Sequence, residues 1–477
     1  MNQKKDATHY LRHHEFGITA LCTGTLDAIF NIYSPILISA DEKGSLTIWD
    51  LVIRRPLFSK RLCEAQIVAI QFDEGKYISF LAKDHKFRMF ELYPNKSIDI
   101  KINSHRSNDL MFLKQVFEVP VNTMNFANFG LISLGDDRFQ LVTSHTQDAH
   151  FLDIYEFQIP ELHSLKRIFK RVDLMPLIKL KYGTDLLPKI EGLGIIMRIL
   201  CVDDIIFCGF ESGFIVGLRR YTNESTYKKG TKIKQIDVGV STSNLGKLLS
   251  SGSDKYFENE EKLNEILEIV LVDTAHCAEP VLSMVYNSST KSILSSSTTN
   301  SIIIENCTKD FLSARNCDQF FSESEYYVDT TNHMLIRRSL KLNKNIKKET
   351  PCKNIGFLAT IEGNVIFGSW SGKTYEISGD NNEAIPTAVK DKSSIFVTES
   401  AVGNTQNTQN GSGEKVKKSI KIGALTALCI SDLSTFQKSL ADQKVLSPGQ
   451  KRRTMDFITN SWLFIGYEDG SVAMYKK

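Results

Sequence analysis

The chain has 477 residues, 42% of them hydrophobic and 24% charged, which are ordinary proportions for a soluble globular protein. Its 58 lysines and arginines against 55 aspartates and glutamates leave a formal charge of +3, too small an excess to mark the whole chain as a nucleic-acid binder. Nine cysteines, odd in number and scattered (Cys22, Cys63, Cys201, Cys208 and Cys277 among them), read as free thiols of a reducing compartment rather than as a disulfide framework.

In chain order, the N-terminal stretch "MNQKKDATHYLRHHEFG" contains no apolar run of signal-peptide length. The longest apolar segments, such as "LGIIMRIL", carry charge and are too short to cross a bilayer. A cytosolic or nuclear protein is expected. Two short basic runs, "KKGTKIK" and "GQKRR", do not separate those compartments.

The first strong local signal is "LISADEKGSLTIWDL", Leu37 to Leu51. An apolar strand enters a tight polar turn around Asp41–Gly44, and a second strand closes on Trp49 and Asp50, the Trp-Asp pair of a propeller blade. The pattern recurs along the chain. "SFLAKDHKFRMFE" at 79–91 is a weaker copy, followed by "FCGFESGFIVGLR" at 207–219 and "LSSSTTNSIIIEN" at 294–306. "VIFGSWSGKTYEI" at 365–377 and "LFIGYEDGSVAMY" at 463–475 complete six hairpins.

Gly44, Gly213, Gly372 and Gly470 share one turn position, where a positive φ is free of a Cβ clash. Trp49, Phe90 and Tyr475 share the end of the following strand, where a ring would pack between neighbouring sheets. Feeder strands precede several units: "AQIVAIQF" the second, "HCAEPVLSMVY" the fifth and "KRRTMDFI" the last. A seventh unit is read at 119–157, from the feeder "VPVNTMNF" to "LDIYEF".

Seven such units predict an all-β fold, a seven-bladed WD40-type β-propeller running through residues 1–477 as one domain. The alternative, a sandwich or several small β domains, does not account for similar hairpins spaced through the whole length. The last unit ends two residues from residue 477, so an N-terminal strand within "HHEFGITALCTG" is expected to complete the last blade. Seven blades need about 300 residues. The excess is assigned to insertions at about 158–191, 222–268, 396–420 and 431–453.

The Asn/Thr-rich 396–420 stretch reads as disordered, and these insertions are either partner-binding arms or tolerated surface loops. The 158–191 connector is more apolar. Phe169 and Leu177 within it are expected either to cover the propeller or to meet a partner.

No phosphate loop, metal-binding His-Glu-x-x-His or nucleophile elbow is present, so neither catalytic residues nor a metal or cofactor site is assigned. Asp41, Asp84, Asp136, Asp137 and Asp469 fall in hairpin turns, where a carboxylate accepts backbone N–H bonds. His13, His14 and His276 stand just before strands, where a histidine bonds inside a blade. Basic residues are interspersed with acids, so a protein-interaction scaffold is the default reading, with no nucleic acid or membrane as direct partner.

The ordered set "SADEKGSLTIWDL", "VNTMNF", "FCGFESGFIVGL", "HCAEPVLSM", "FGSWSGKTYEI" and "FIGYEDGSVAMY" resembles the fungal ASTRA-associated protein 1 family, divergent WD-repeat proteins akin to G-protein β-subunit-like proteins. The resemblance spans nearly the whole chain. It implies a non-catalytic nuclear subunit of the ASTRA assembly, linked to chromatin remodelling and to maturation of phosphatidylinositol-3-kinase-related kinases. Its partners would be RuvB-like ATPases, a large kinase-related transcription cofactor and the kinase-maturation cochaperone.

The family's blade-defining positions map onto Gly44, Trp49, Asp50, Gly209, Glu211, Gly213, His276, Pro280, Trp370, Gly372, Gly466, Glu468 and Gly470. Departures are His85 in place of a turn glycine, Leu218 ending the fourth unit, and Asn300 in the fifth turn. A G-protein β-like signalling adaptor is the runner-up. It is disfavoured because only a dozen polar residues precede the first unit, with no long helix to pair with a γ subunit.

Overall fold

The strands that enter the repeated turns are apolar at nearly every position rather than at alternate ones: PILISAD, YISFLA, IIFCGF and WLFIGY. A strand of that kind must be covered on both faces. The computed structural model describes residues 6–26, 35–94, 111–123, 127–182, 187–189, 191–222, 233–236, 265–306, 326–329, 334–337, 345–378, 384–389, 420–428 and 448–477. In it these strands are buried at every position, each being the second strand of a sheet whose two faces meet neighbouring sheets.

Seven sheets, each built on four antiparallel strands, form a ring. Blade 1 comprises Ile18–Thr25, Pro35–Asp41, Ser45–Asp50 and Arg55–Arg61, from inner to outer strand. Blade 2 is built from Ile67–Asp73, Tyr77–Ala82, Lys86–Pro94 and Met111–Pro120. Blade 3 has Gly130–Gly135, Arg138–Ser144, Leu152–Gln158 and Lys166–Val172. Blade 4 starts with Ile196–Val202, Ile205–Phe210, Ile215–Thr222 and Glu265–Asp273.

Blade 5 uses Val281–Asn287, Ser292–Ser297, Ser301–Asn306 and Asn345–Glu349. Ile355–Ile361, Asn364–Ser369, Lys373–Ile377 and Ala384–Val389 make blade 6. Blade 7 takes Ile422–Leu428, Trp462–Tyr467 and Ser471–Lys476, and its outer strand is His9–Arg12.

The core is divided as the ring requires. Seven apolar clusters occur among the described residues, one at each junction between adjacent blades. No blade has a core of its own, so each sheet is stable only between two others.

The inner strands share a device absent from the sequence reading. In six blades the strand begins with Ile or Val (Ile18, Ile67, Ile196, Val281, Ile355, Ile422), and the pairing register shifts by one at the next residue. Such a bulge bends the strand and increases its twist as it turns into the ring. Opposite the end of each bulge stands a small residue in blades 4, 6 and 7: Gly209, Gly368 and Gly466. A Cβ at Gly209 would press on Val281, and one at Gly466 on Ile18. These glycines let successive blades approach closely.

Polar bonds accompany the packing. Thr19 Oγ1 donates to the Ile67 carbonyl (2.6 Å), and Gln71 Nε2 to that of Leu131 (2.8 Å). Asn128 exchanges two bonds with the Ile199 backbone, and Thr23 Oγ1 donates across the closing junction to Ala427.

Closure uses an N-terminal strand, but a few residues earlier than expected. His9–Arg12 pairs antiparallel with Ser471–Met474, whereas "ITALCTGT" is the inner strand of blade 1. Two feeder assignments are corrected. Val119 and Pro120 end the outer strand of blade 2, and the feeder of blade 3 is Gly130–Gly135. "KRRTMDFI" lies in a helix, Pro448–Ile458, whose Phe457 and Ile458 pack on Trp462; the inner strand of blade 7 is Ile422–Leu428.

The 158–191 segment is not a simple insertion. Lys166–Val172 is the outer strand of blade 3, disguised by its basic residues, and a helix over Leu174–Tyr182 follows. The sheet of blade 4 is widened to seven strands by Met334–Arg337, Tyr326–Asp329 and Ile233–Ile236, with parallel pairing at two of the added contacts. The insertion expected at 222–268 thus contributes a short strand and the start of Glu265–Asp273. Apart from its last residue, the 396–420 segment lies outside the described residues, as does most of 431–453.

Candidate interaction surface

In blade 1 four side chains tie a strand end to a turn. His14 places Nδ1 2.9 Å from Asp41 Oδ2 and Nε2 2.8 Å from Ser39 Oγ. Trp49 Nε1 donates to the same Ser39 oxygen at 2.8 Å. The second oxygen of Asp41 accepts the backbone N–H groups of Lys43 and Ser45, both at 2.9 Å. Burial by itself would raise the Asp41 pKa, but the His14 bond and the two N–H donors outweigh it and hold the carboxyl below its usual range.

Asp50, the residue beside the tryptophan, has another role: it accepts from the N–H groups of Val52 and Ile53 in the next turn. The signal that would have found the network is Ser39-x-Asp41 followed by Trp49 ten residues after the serine. In blade 5 a shorter version remains, His276 Nε2 to Ser295 Oγ at 2.9 Å, with Pro280 just before the inner strand. Burial pushes the His276 pKa down to about 4.

The shared turn glycines have the conformation their position demands. Gly44, Gly213, Gly372 and Gly470 have φ between +78° and +84°, and each donates its N–H to the residue three before. A side chain there would also collide with backbone: Cys63 for Gly44, His276 for Gly213, His14 for Gly470. His85 takes the same left-handed geometry at φ +63° in blade 2, with its Nδ1 bonded by Thr123.

The first residue of these turns is also shared. Its N–H bonds the residue preceding the inner strand of the same blade: Glu42 to Gly17, Lys83 to Gln66, Glu211 to Ile195, Trp370 to Asn354 and Glu468 to Lys421. Glu211, Trp370 and Glu468 are therefore equivalent positions on one face of the ring, which carries these turns and the connections leading into the inner strands.

Phe169 and Leu177 do not reach any surface. They are 1% and 0% exposed in the cluster between blades 3 and 4, with Leu152, Ile154, Leu174 and Ile196. Their role is intramolecular packing, which corrects the alternative of a partner contact.

No group of three or more His, Cys, Asp or Glu side chains among the described residues is placed to hold a metal ion. Burial pushes the Cys22 and Cys201 thiols up to about 12, which keeps them protonated and weakly nucleophilic. No helix is long and apolar enough to cross a membrane among the described residues.

These features define the class: a seven-bladed β-propeller of the WD40 type. Its whole-length resemblance to a solved structure, that of Saccharomyces cerevisiae Sqt1, is one of fold, with a TM-score of 0.50 and 9% identity over 100% of both chains. Residues 7–475 match the family described as ASTRA-associated protein 1, and the chain belongs to that family. The ASTRA-associated protein 1 of Candida glabrata is 43% identical over 479 residues, covering 99% of each chain. That of Vanderwaltozyma polyspora is 32% identical over 473 residues, 97% of each.

Proposed function

We propose that this chain is a non-catalytic scaffold subunit of the ASTRA assembly. The observation that carries the reading is its identity, along almost its full length, with relatives named for association with that assembly. The ring supports it physically. Its interior is consumed in closing seven blade junctions, so what remains for function is the rim and two faces of turns.

In this reading the protein works in the nucleus. Its partners are the RuvB-like ATPases, the kinase-related transcription cofactor and the cochaperone that matures phosphatidylinositol-3-kinase-related kinases, and through them it acts in chromatin remodelling and kinase maturation. Affinity purification of the tagged chain from its native cell tests this. Co-recovery of these subunits from a nuclear extract supports the assignment, and recovery of none of them overturns it.

A further inference from the structure

The turn position shared by Glu42, Lys83, Glu211 and Glu468 carries a charged residue in four blades, and Thr298 occupies it in blade 5. In blade 6 it carries Trp370. This tryptophan is 49% exposed, and tryptophan is the residue type most enriched among interface anchors. The other two tryptophans of the chain, Trp49 and Trp462, are each 2% exposed.

The indole has a prepared seat. Gly356 is the bulge residue of the same blade, and a Cβ there would lie 2.8 Å from Trp370 Cδ1. The ring thus rests one edge against bare backbone, and the Trp370 backbone N–H bonds Asn354 at 3.2 Å.

Three lysines lie on the segments that meet this turn and the next. Lys353 lies beside the turn, its carbonyl accepting Ser369 Oγ at 2.8 Å. Lys373 opens the next strand, close enough to Cys352 for its charge to act on that thiol. Lys421 precedes the adjoining inner strand, and its carbonyl accepts the Glu468 N–H. All three are exposed, and none forms an ion pair among the described residues. On the same face, at the junction of blades 7 and 1, Phe16 is 42% exposed with Lys43 Nζ 5.6 Å from its ring centre.

We infer that Trp370, with Lys353, Lys373 and Lys421, forms a docking site for a short acidic segment of a partner protein that also carries an apolar anchor residue. The inference rests on reading the chain as a protein-interaction scaffold. Exposed tryptophan supplies the contact area typical of an interface hot spot, and the exposed ammonium groups supply charge complementarity and steering. The positive ground is narrow: Glu279, bonded by Thr298 next to Asn354, stands on one side, and Glu468 and Asp469 on the next turn. That width suits a few carboxylates and not the continuous phosphate track of a nucleic acid.

The purified full chain tests this with a fluorescein-labelled blocked peptide of glutamate and aspartate around a Leu-Phe pair. The controls are the same peptide with lysine in place of the acids, and a 20-nucleotide oligothymidylate. The acidic peptide should bind, should weaken as salt rises, and should shield Trp370 from acrylamide quenching. Trp370→Ser should weaken binding at least about tenfold, the loss typical of an interface hot spot. The double variant K353S/K373S, which removes no packing, should weaken it severalfold with unchanged thermal unfolding.

No binding of the acidic peptide overturns the proposal, as does equal binding of the lysine control, tighter binding of the oligothymidylate, or indifference to both variants. Because the assay uses only the purified chain, it stands apart from the affinity purification. Failure to recover ASTRA subunits with the wild-type chain would count against that assignment and leave this site to be judged by the peptide.

Discussion

Trp49 is the side chain on which blade 1 most depends. Its ring fills the junction between blades 7 and 1 with Leu37, Leu51 and Met474, and its N–H ends the chain of bonds from Asp41 through His14 and Ser39. Trp49→Ala should open a cavity and remove one of the two bonds to the Ser39 hydroxyl, lowering stability by about 3–5 kcal/mol in denaturant unfolding. A loss below about 0.5 kcal/mol would show that the junction repacks freely. Gly470→Val is expected to be as damaging for a different reason. The position has φ +78°, and a Cβ there meets the His14 carbonyl, so strain and collision add. Soluble yield and thermal midpoint should both fall, and a variant that melts with the wild type would place the turn wrongly.

At the scale of strands and helices, the outer strand His9–Arg12 is a velcro between chain ends. It covers the edge of Ser471–Lys476, and Leu11 inserts into the junction cluster at 2% exposure. Leu11→Asp would place an unpaired carboxylate in that cluster and free the edge. Native-state hydrogen exchange should then show lost protection first in residues 471–476 and 462–467. Uniform loss across all blades would argue that closure is not local.

The outer strand of blade 3 and the helix after it offer a second test. Phe169→Ser with Leu177→Ser removes two fully buried side chains from the largest cluster and should cost more than about 3 kcal/mol. Unchanged unfolding with lost partner recovery would instead restore the interface reading.

For the ring as a whole, pH reports on the buried polar groups. His276 has its pKa lowered to about 4 by burial, against an unfolded value of about 6.5. The stability it contributes is complete above about pH 6.5 and is lost as pH falls toward 4, because the unfolded chain accepts a proton that the folded one refuses. Asp41, also lowered, keeps its contribution until pH drops below the normal carboxylate range. Asp73, pushed up to about 6 by burial, acts in the opposite sense. The difference in thermal midpoint between wild type and His276→Gln is therefore the quantity to follow. It should narrow between pH 7 and pH 4.5, and a difference independent of pH would show that His276 is not held neutral.

The chain's own residues determined the ring and most of its blades, because the signals are local. Tight turns need a residue that tolerates positive φ, and a strand covered on both faces must be apolar throughout. Gly44, Gly213, Gly372 and Gly470 and the runs entering their turns could thus be read directly, and so could the need for an N-terminal strand to close the last blade. The outer strands could not. A strand with one neighbour and one wet face, such as "KRIFKRV", is written in basic residues and looks like a connector, and "KRRTMDFI" is as compatible with a helix as with a strand. The tertiary structure alone decided which side chains meet. Trp49, in a strand of blade 1, fills the junction with blade 7 because Leu11 and Met474 come from opposite ends of the chain to meet it. Which side chains fill a junction is set by the neighbouring sheet, and the residues of that sheet lie far away in the chain.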